Sequence, residues 1–279
     1  MFSLLKIIVS FCVVFLSLEV YAGDPFAIKA GARETGMARV CIISSDPWSA
    51  FNNQAALAFN KSCSFGFNYE NRFGVSELST RTAGLVLPAG RVSLGAAYSY
   101  FGFSDFRRQM VGLACGMPLS KIISAGIQID YFSEKTAGEY QNNQIVTCEA
   151  GIIVNASEKV KIAIHVFNPV PNSLRKSDLT TSLNIGGMIR LTKELSGGVE
   201  TAFSAGEKLV LRTGFEYEAA KKFMLRGGFS TENDSYCFGL GYVAGPVKID
   251  IGFATHERLG ITSAVSVIFE MGKGNRKER

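Results

Sequence analysis

The stretch from Gly31 to Ala58, GARETGMARVCIISSDPWSAFNNQAALA, decides how this chain is read. It is rich in small residues and then turns helical. Asp46-Pro47 marks a helix start. An Asp side chain accepts from the free N–H groups of a first turn, and Pro suits the first helical position because its missing N–H has no intrahelical partner there. Trp48, Phe51 and Ala55 follow at helical spacing on one face, with Ser49, Asn52 and Asn53 turned elsewhere. A helix of two or three turns needs a wall to pack against. Two walls are open to it: the inside of a β-barrel, or the side of a soluble β-domain.

Everything downstream has a period of two. Cys63, Phe65, Phe67 and Tyr69 alternate with Ser64, Gly66, Asn68 and Glu70. Leu179, Thr181, Leu183 and Ile185 alternate with Thr180, Ser182, Asn184 and Gly186, and Val247, Ile249, Ile251 and Phe253 with Lys248, Asp250, Gly252 and Ala254. Successive side chains on a strand point to opposite faces, so each segment has one apolar face and one polar or small face. About fourteen such segments run from Cys63–Asn71 to Gly260–Phe269, most of them roughly ten residues long, enough to cross a bilayer at a barrel tilt.

The connections alternate too. Those after even segments are tight (PAG, PLS, ASE, TKE, AAK, AGP), whereas those after odd segments include the long stretches Ser133–Asn143 and Asn168–Asp178. Outer-membrane barrels have short periplasmic turns and longer external loops. Phe67, Tyr69, Tyr98, Tyr100, Tyr131, Phe215, Tyr217 and Phe253 sit near strand ends on the apolar face, as aromatic girdles at two membrane interfaces require. A soluble sandwich or lipocalin-like barrel would alternate as well, with its apolar set facing inward. Loop lengths and aromatics favour the membrane barrel.

The opening stretch resembles the N-terminal segment of the FadL-like outer-membrane barrels, a superfamily of long-chain fatty-acid transporters and type IX secretion barrel subunits. The family form reads G-x-R-x-x-G-M-G-G-A, then D-D-P, then N-P-A-G-L-A. Gly31, Arg33, Gly36, Met37, Asp46, Pro47, Asn53, Ala55, Leu57 and Ala58 match it. The departures are Ala38-Arg39 for Gly-Gly, Gln54 for Pro and Ala56 for Gly. The resemblance implies an all-β fold: a closed antiparallel transmembrane barrel with a short N-terminal helical plug, in which Trp48 and Phe51 supply apolar contacts. It implies passive transport of a hydrophobic small molecule across a Gram-negative outer membrane. The alternative it carries is a non-conducting accessory or docking subunit that binds a secretion-machinery subunit. A purely structural barrel is the third reading.

The expected organisation is a signal peptide at 1–22, a plug segment at 23–60, the barrel at 61–271 and a polar basic tail at 272–279. The leader has Lys6, an apolar run from Ile7 to Leu18 and Val20-Tyr21-Ala22 as a small-residue cleavage site. That run is short for a membrane anchor, and Cys12 lies inside it rather than after it, against a lipoprotein. Export is expected of a chain that is nonetheless 47% hydrophobic and 19% charged, with a mean hydropathy of +0.17. Beyond the leader Cys41, Cys63, Cys115, Cys148 and Cys237 remain, an odd number without a C-x-x-C, so they read as small apolar fillers. The net charge of +5 is modest and no basic-aromatic patch points to nucleic acid.

Little here suggests catalysis, a metal or a cofactor. There are two histidines, His165 on a polar face and His256 in an external turn, with no G-x-S-x-G elbow and no metal-ligand spacing. The charges expected to face the lumen are Glu149, Lys161, Glu200, Arg212, Glu216, Arg226, Lys248 and Asp250. Burying them needs partners or water, so ion pairs are expected among them or with Arg33, Glu34 and Arg39.

Overall fold

The computed structural model describes residues 28–136, 143–170, 179–204 and 207–271. The expected signal peptide, the first residues of the plug segment and the basic tail lie outside them. The barrel opens with β1 (Cys63–Asn71), β2 (Ser79–Ala89), β3 (Val92–Gly102), β4 (Phe106–Pro118), β5 (Ile123–Thr136), β6 (Asn143–Asn155) and β7 (Val160–Phe167). It continues through β8 (Ser182–Arg190), β9 (Leu195–Ser204), β10 (Val210–Ala220), β11 (Phe223–Ser230), β12 (Ser235–Ala244), β13 (Val247–His256) and β14 (Gly260–Met271). Each strand pairs antiparallel with its sequence neighbours, and β1 pairs with β14 from Cys63↔Met271 to Asn71↔Ser263 to close the barrel. Closure leaves no edge, so the ladder satisfies the backbone inside lipid.

The wall is inverted relative to a soluble protein. On β4 and β5, Leu113 and Ile129 are 68% and 63% exposed, while Gln128 and Asp130 are 1% and 0% exposed. The apolar set therefore faces outward and the soluble readings fail. Aromatic residues ring both rims: Phe223 against Tyr242 and Phe65 stacked on Phe269 near the short turns, and Tyr69 and Tyr100 toward the longer connections.

Two segments differ from the alternation read in the sequence. β5 continues through Ser133–Thr136, so the connection expected to begin at Ser133 begins later. β8 starts at Ser182 rather than Leu179. Leu179 packs inward with Phe132 and Phe167, and its carbonyl accepts from Asn168 Nδ2 at 2.9 Å. Burial of one leucine side chain overrides the period there.

The chain from Ile28 to Asn60 lies inside the barrel. It contains α1 (Ala32–Gly36), α2 (Ser49–Asn52) and a 3-10 turn over Gln54–Phe59. Asp46 Oδ1 accepts from the Trp48 N–H at 2.9 Å, but in a turn that precedes the helix: the helix itself begins at Ser49, with Trp48 rather than Asp46 at its N-cap and no side-chain cap. The expected helix of two or three turns is shorter, because Asn53 is extended (φ −168°) and its side chain accepts from the Ala55 N–H at 3.0 Å. An Asn carboxamide competes with the helix for backbone groups and starts the next turn instead. Trp48 and Phe51 consequently share one buried cluster with Leu57, while Ala55 belongs to another with Ile42 and Ile153.

Room for this segment comes from glycine on the inward face of the wall. Gly66 faces Trp48, Gly84 faces Pro47, Gly126 faces Gln54, Gly214 faces Met37 and Gly252 faces Ala32. A Cβ at Gly126 would run into the Gln54 carbonyl group and lie 2.5 Å from the Ala55 nitrogen, both rigid backbone. Gly126→Ala is expected to cost about 1–3 kcal/mol through overpacking. Gly197→Ala, where the nearest atom is 3.7 Å away, should be neutral. Thermal melts of the two refolded barrels check this.

Candidate functional site

The plug segment crosses the whole lumen. α1 packs on β11 to β14, α2 on β2 to β4, and the 3-10 turn on β3 to β6. Among the segment's motif residues Gly31, Gly36, Met37, Pro47, Trp48, Phe51, Asn53 and Leu57 are buried, and Arg33 and Asp46 are half-buried. Three of the four departures from the FadL-like form, Ala38, Arg39 and Gln54, fall at positions whose geometry is distinctive. Ala38 and Arg39 stand at φ 54° and 61°, the left-handed region that glycine occupies without strain. Arg39 is held there through Nη2 alone, which donates to both Glu70 carboxylate oxygens at 2.8 Å. Gln54, where the family form has Pro, donates to Glu149 Oε2 at 2.7 Å, and His165 Nε2 lies 2.9 Å from the same oxygen.

Toward the longer connections, Glu200 binds the segment. It is 1% exposed, accepts from the backbone N–H groups of Cys41 and Ile42 at 3.0 and 3.1 Å, and pairs with Lys29. Arg212 lies 3.9 Å from Glu200 and donates to Glu232 at 2.7 Å. Toward the short turns, Arg33 grips Glu216 with two nitrogens, at 2.9 and 3.1 Å. Arg226 joins that Glu216 to Asp250 at 2.6 Å each. Ser44 accepts from Arg33 at 2.8 Å and donates to Glu34 at 2.6 Å. Lys248 pairs with Glu270 at 2.6 Å, and Lys161 stands 4.2 Å over the Phe59 ring.

All eight charged positions singled out in the sequence thus project inward. Arg33 and Arg39 pair across the lumen, while Glu34 bonds within the segment. Sequence reasoning missed Glu70, Lys29 and Asp130. Glu70 was visible on the polar face of β1, but its partner Arg39 is set by tertiary contact.

Two cavities flank the segment. The outer one, about 320 Å³, opens among the longer connections and is lined by Asn68, Glu70, Thr82, Ser99, Ser182 and Arg212 among others. The inner one, about 340 Å³, opens toward the short turns beside Asp46, Lys161, Arg190, Glu216 and Lys248. Among the described residues no three His, Cys, Asp or Glu side chains group as metal ligands.

Burial and the neighbouring Glu200 carboxylate push the Cys41 thiol up to about 12, so at neutral pH almost none is the reactive thiolate. Maleimide at pH 7 should leave Cys41 unmodified in the folded barrel and modify it after denaturation. Peptide mass spectrometry reads both.

No family model and no curated protein matches the sequence. The fold is another matter. A Pseudomonas aeruginosa FadL homologue aligns with a TM-score of 0.63 at 12% identity, over 86% of this chain and 98% of the other. The Ralstonia pickettii toluene transporter TbuX aligns at 0.62 and 12%, over 86% and 97%. The Pseudomonas putida toluene transporter TodX aligns at 0.61 and 10%, over 92% and 100%. The likeness is one of fold: this chain shares with these three structures a closed antiparallel β-barrel.

Proposed function

We propose that the protein is a passive outer-membrane transporter for a small molecule, admitted when the plug segment shifts. One observation carries this reading: two cavities open toward opposite ends of a closed barrel, and the segment between them is held by charge pairs and hydrogen bonds as well as by apolar packing. Polar fastenings to a preformed wall can be exchanged for water or a solute at lower cost than a wholly apolar core. The FadL-like fold suggests a hydrophobic cargo, and structural neighbours described as toluene transporters support it. Phe73, Phe101 and Val210 give the outer cavity apolar surface for such a body.

Uptake of labelled toluene by Gram-negative cells expressing the chain tests the proposal, with cells carrying an empty vector as reference. Faster saturable uptake supports transport. No added flux, together with a stoichiometric partner on purification, favours the docking alternative in which the barrel serves a secretion machinery.

A further inference from the structure

The outer cavity has chemistry that a bare hydrocarbon does not use. Asn68, Thr82 and Ser99 lie in one row across adjacent strands, through the pairings Asn68↔Thr82 and Thr82↔Ser99. Ser182 on β8 and Arg212 on β10 lie about halfway round the barrel from that row. All five line the cavity from the inward face.

Four of the five carry buried polar atoms with no hydrogen-bond partner among the described residues: Asn68 Oδ1, Ser99 Oγ, Ser182 Oγ, and Arg212 Nε and Nη1. Their side chains are deeply buried, from 1% exposure at Ser99 to 7% at Arg212. The acids here are already engaged, Glu70 by Arg39 and Arg72 and Glu232 by Arg212. The unspent capacity therefore belongs mainly to neutral hydroxyl and amide groups.

We propose that the outer vestibule is a binding site for a small solute with an apolar body and at least one hydroxyl group. Asn68, Thr82 and Ser99 read that hydroxyl on one wall, while Ser182 and Arg212, half the barrel away, give the vestibule a second polar wall. A hydroxyl both donates and accepts and rotates to suit, as do the serine and threonine groups facing it. Phe73 and Phe101 take the apolar body. A wholly apolar solute would displace water and leave these polar atoms unmatched, and a site built to bond a hydroxyl rejects the analogue that lacks it. This deepens the transport reading by naming the chemical class of the cargo, and as a binding claim it is tested separately from flux.

The test compares phenol with toluene, two probes of similar shape that differ by a hydroxyl against a methyl. Calorimetric titration or ligand-observed NMR on the full-length barrel in detergent should show saturable phenol binding at least about tenfold tighter than toluene binding. Asn68→Leu and Thr82→Val should each erase most of that preference, weakening phenol binding and strengthening toluene binding. Heat-modifiable gel mobility and thermal melts confirm that each variant is folded, and Ser99→Ala replaces either one that is not. Equal or tighter toluene binding overturns the proposal, as does an unchanged phenol preference in folded variants. Selective phenol binding without uptake would keep this site and sink the transport reading. Uptake without selective binding would do the reverse.

Discussion

A barrel lacking Asp24–Asn60 should behave as an open pore. In planar bilayers the full-length protein is expected to be nearly silent, and the truncated one to conduct in steady steps roughly tenfold larger or more, since barrels only slightly wider leave an aqueous channel when nothing fills them. The physical reason is the course of the segment. It touches inward positions on strands right around the wall, from Gly66 on β1 to Gly252 on β13, and it separates the two cavities. Removing it joins them through a lumen whose inward face is glycine-rich and therefore wide. The strand ladder does not depend on the segment, because every strand already pairs on both sides. An unchanged conductance in a folded, truncated barrel would show that the segment does not close the lumen.

Glu200→Ala should loosen the segment more than any other single inward substitution. Glu200 holds two backbone N–H groups of the segment, at Cys41 and Ile42, and the Lys29 ammonium. Its loss leaves those donors and Arg212 Nη1 buried without it. Breaking a buried pair from one side costs about 3–5 kcal/mol, a large share of a typical folding free energy. Glu200→Gln keeps an acceptor for one or both N–H groups and should cost distinctly less. Cys41 is the reporter. Maleimide labelling of the native barrel at pH 7 should rise strongly in Glu200→Ala and only modestly in Glu200→Gln. If Cys41 stays protected in Glu200→Ala, the segment is fastened elsewhere, and the Arg33–Glu216–Arg226–Asp250 chain becomes the next candidate.

Much of this was legible in the residues. The period-two alternation placed most strands to within two residues and put Glu149, Lys161, Glu200, Arg212, Glu216, Arg226, Lys248 and Asp250 on the inward face. Asp46 announced the turn that leads into the helix, though not the helix's first residue. Other features were not legible, for identifiable reasons. The helix after Pro47 broke at Asn53 because a side-chain hydrogen bond competes with a backbone one at nearly equal energy, and propensity does not decide between them. The start of β8 slipped past Leu179 because a core contact with Phe132 and Phe167 outweighs alternation.

By itself the sequence determined which face of each strand is greasy, and hence that the wall turns its apolar side outward around a polar lumen. This follows because a strand's two faces are set by residue parity alone, a purely local property. Only the tertiary structure decided the partners. Arg33 meets Glu216 across 183 residues, Gln54 meets Glu149 across 95, and Arg39 meets Glu70 across 31. Each of these bonds joins the plug segment to a different strand, and which atoms come within reach depends on the barrel's curvature and on the small-residue positions that let the segment approach. No spacing along the chain encodes either.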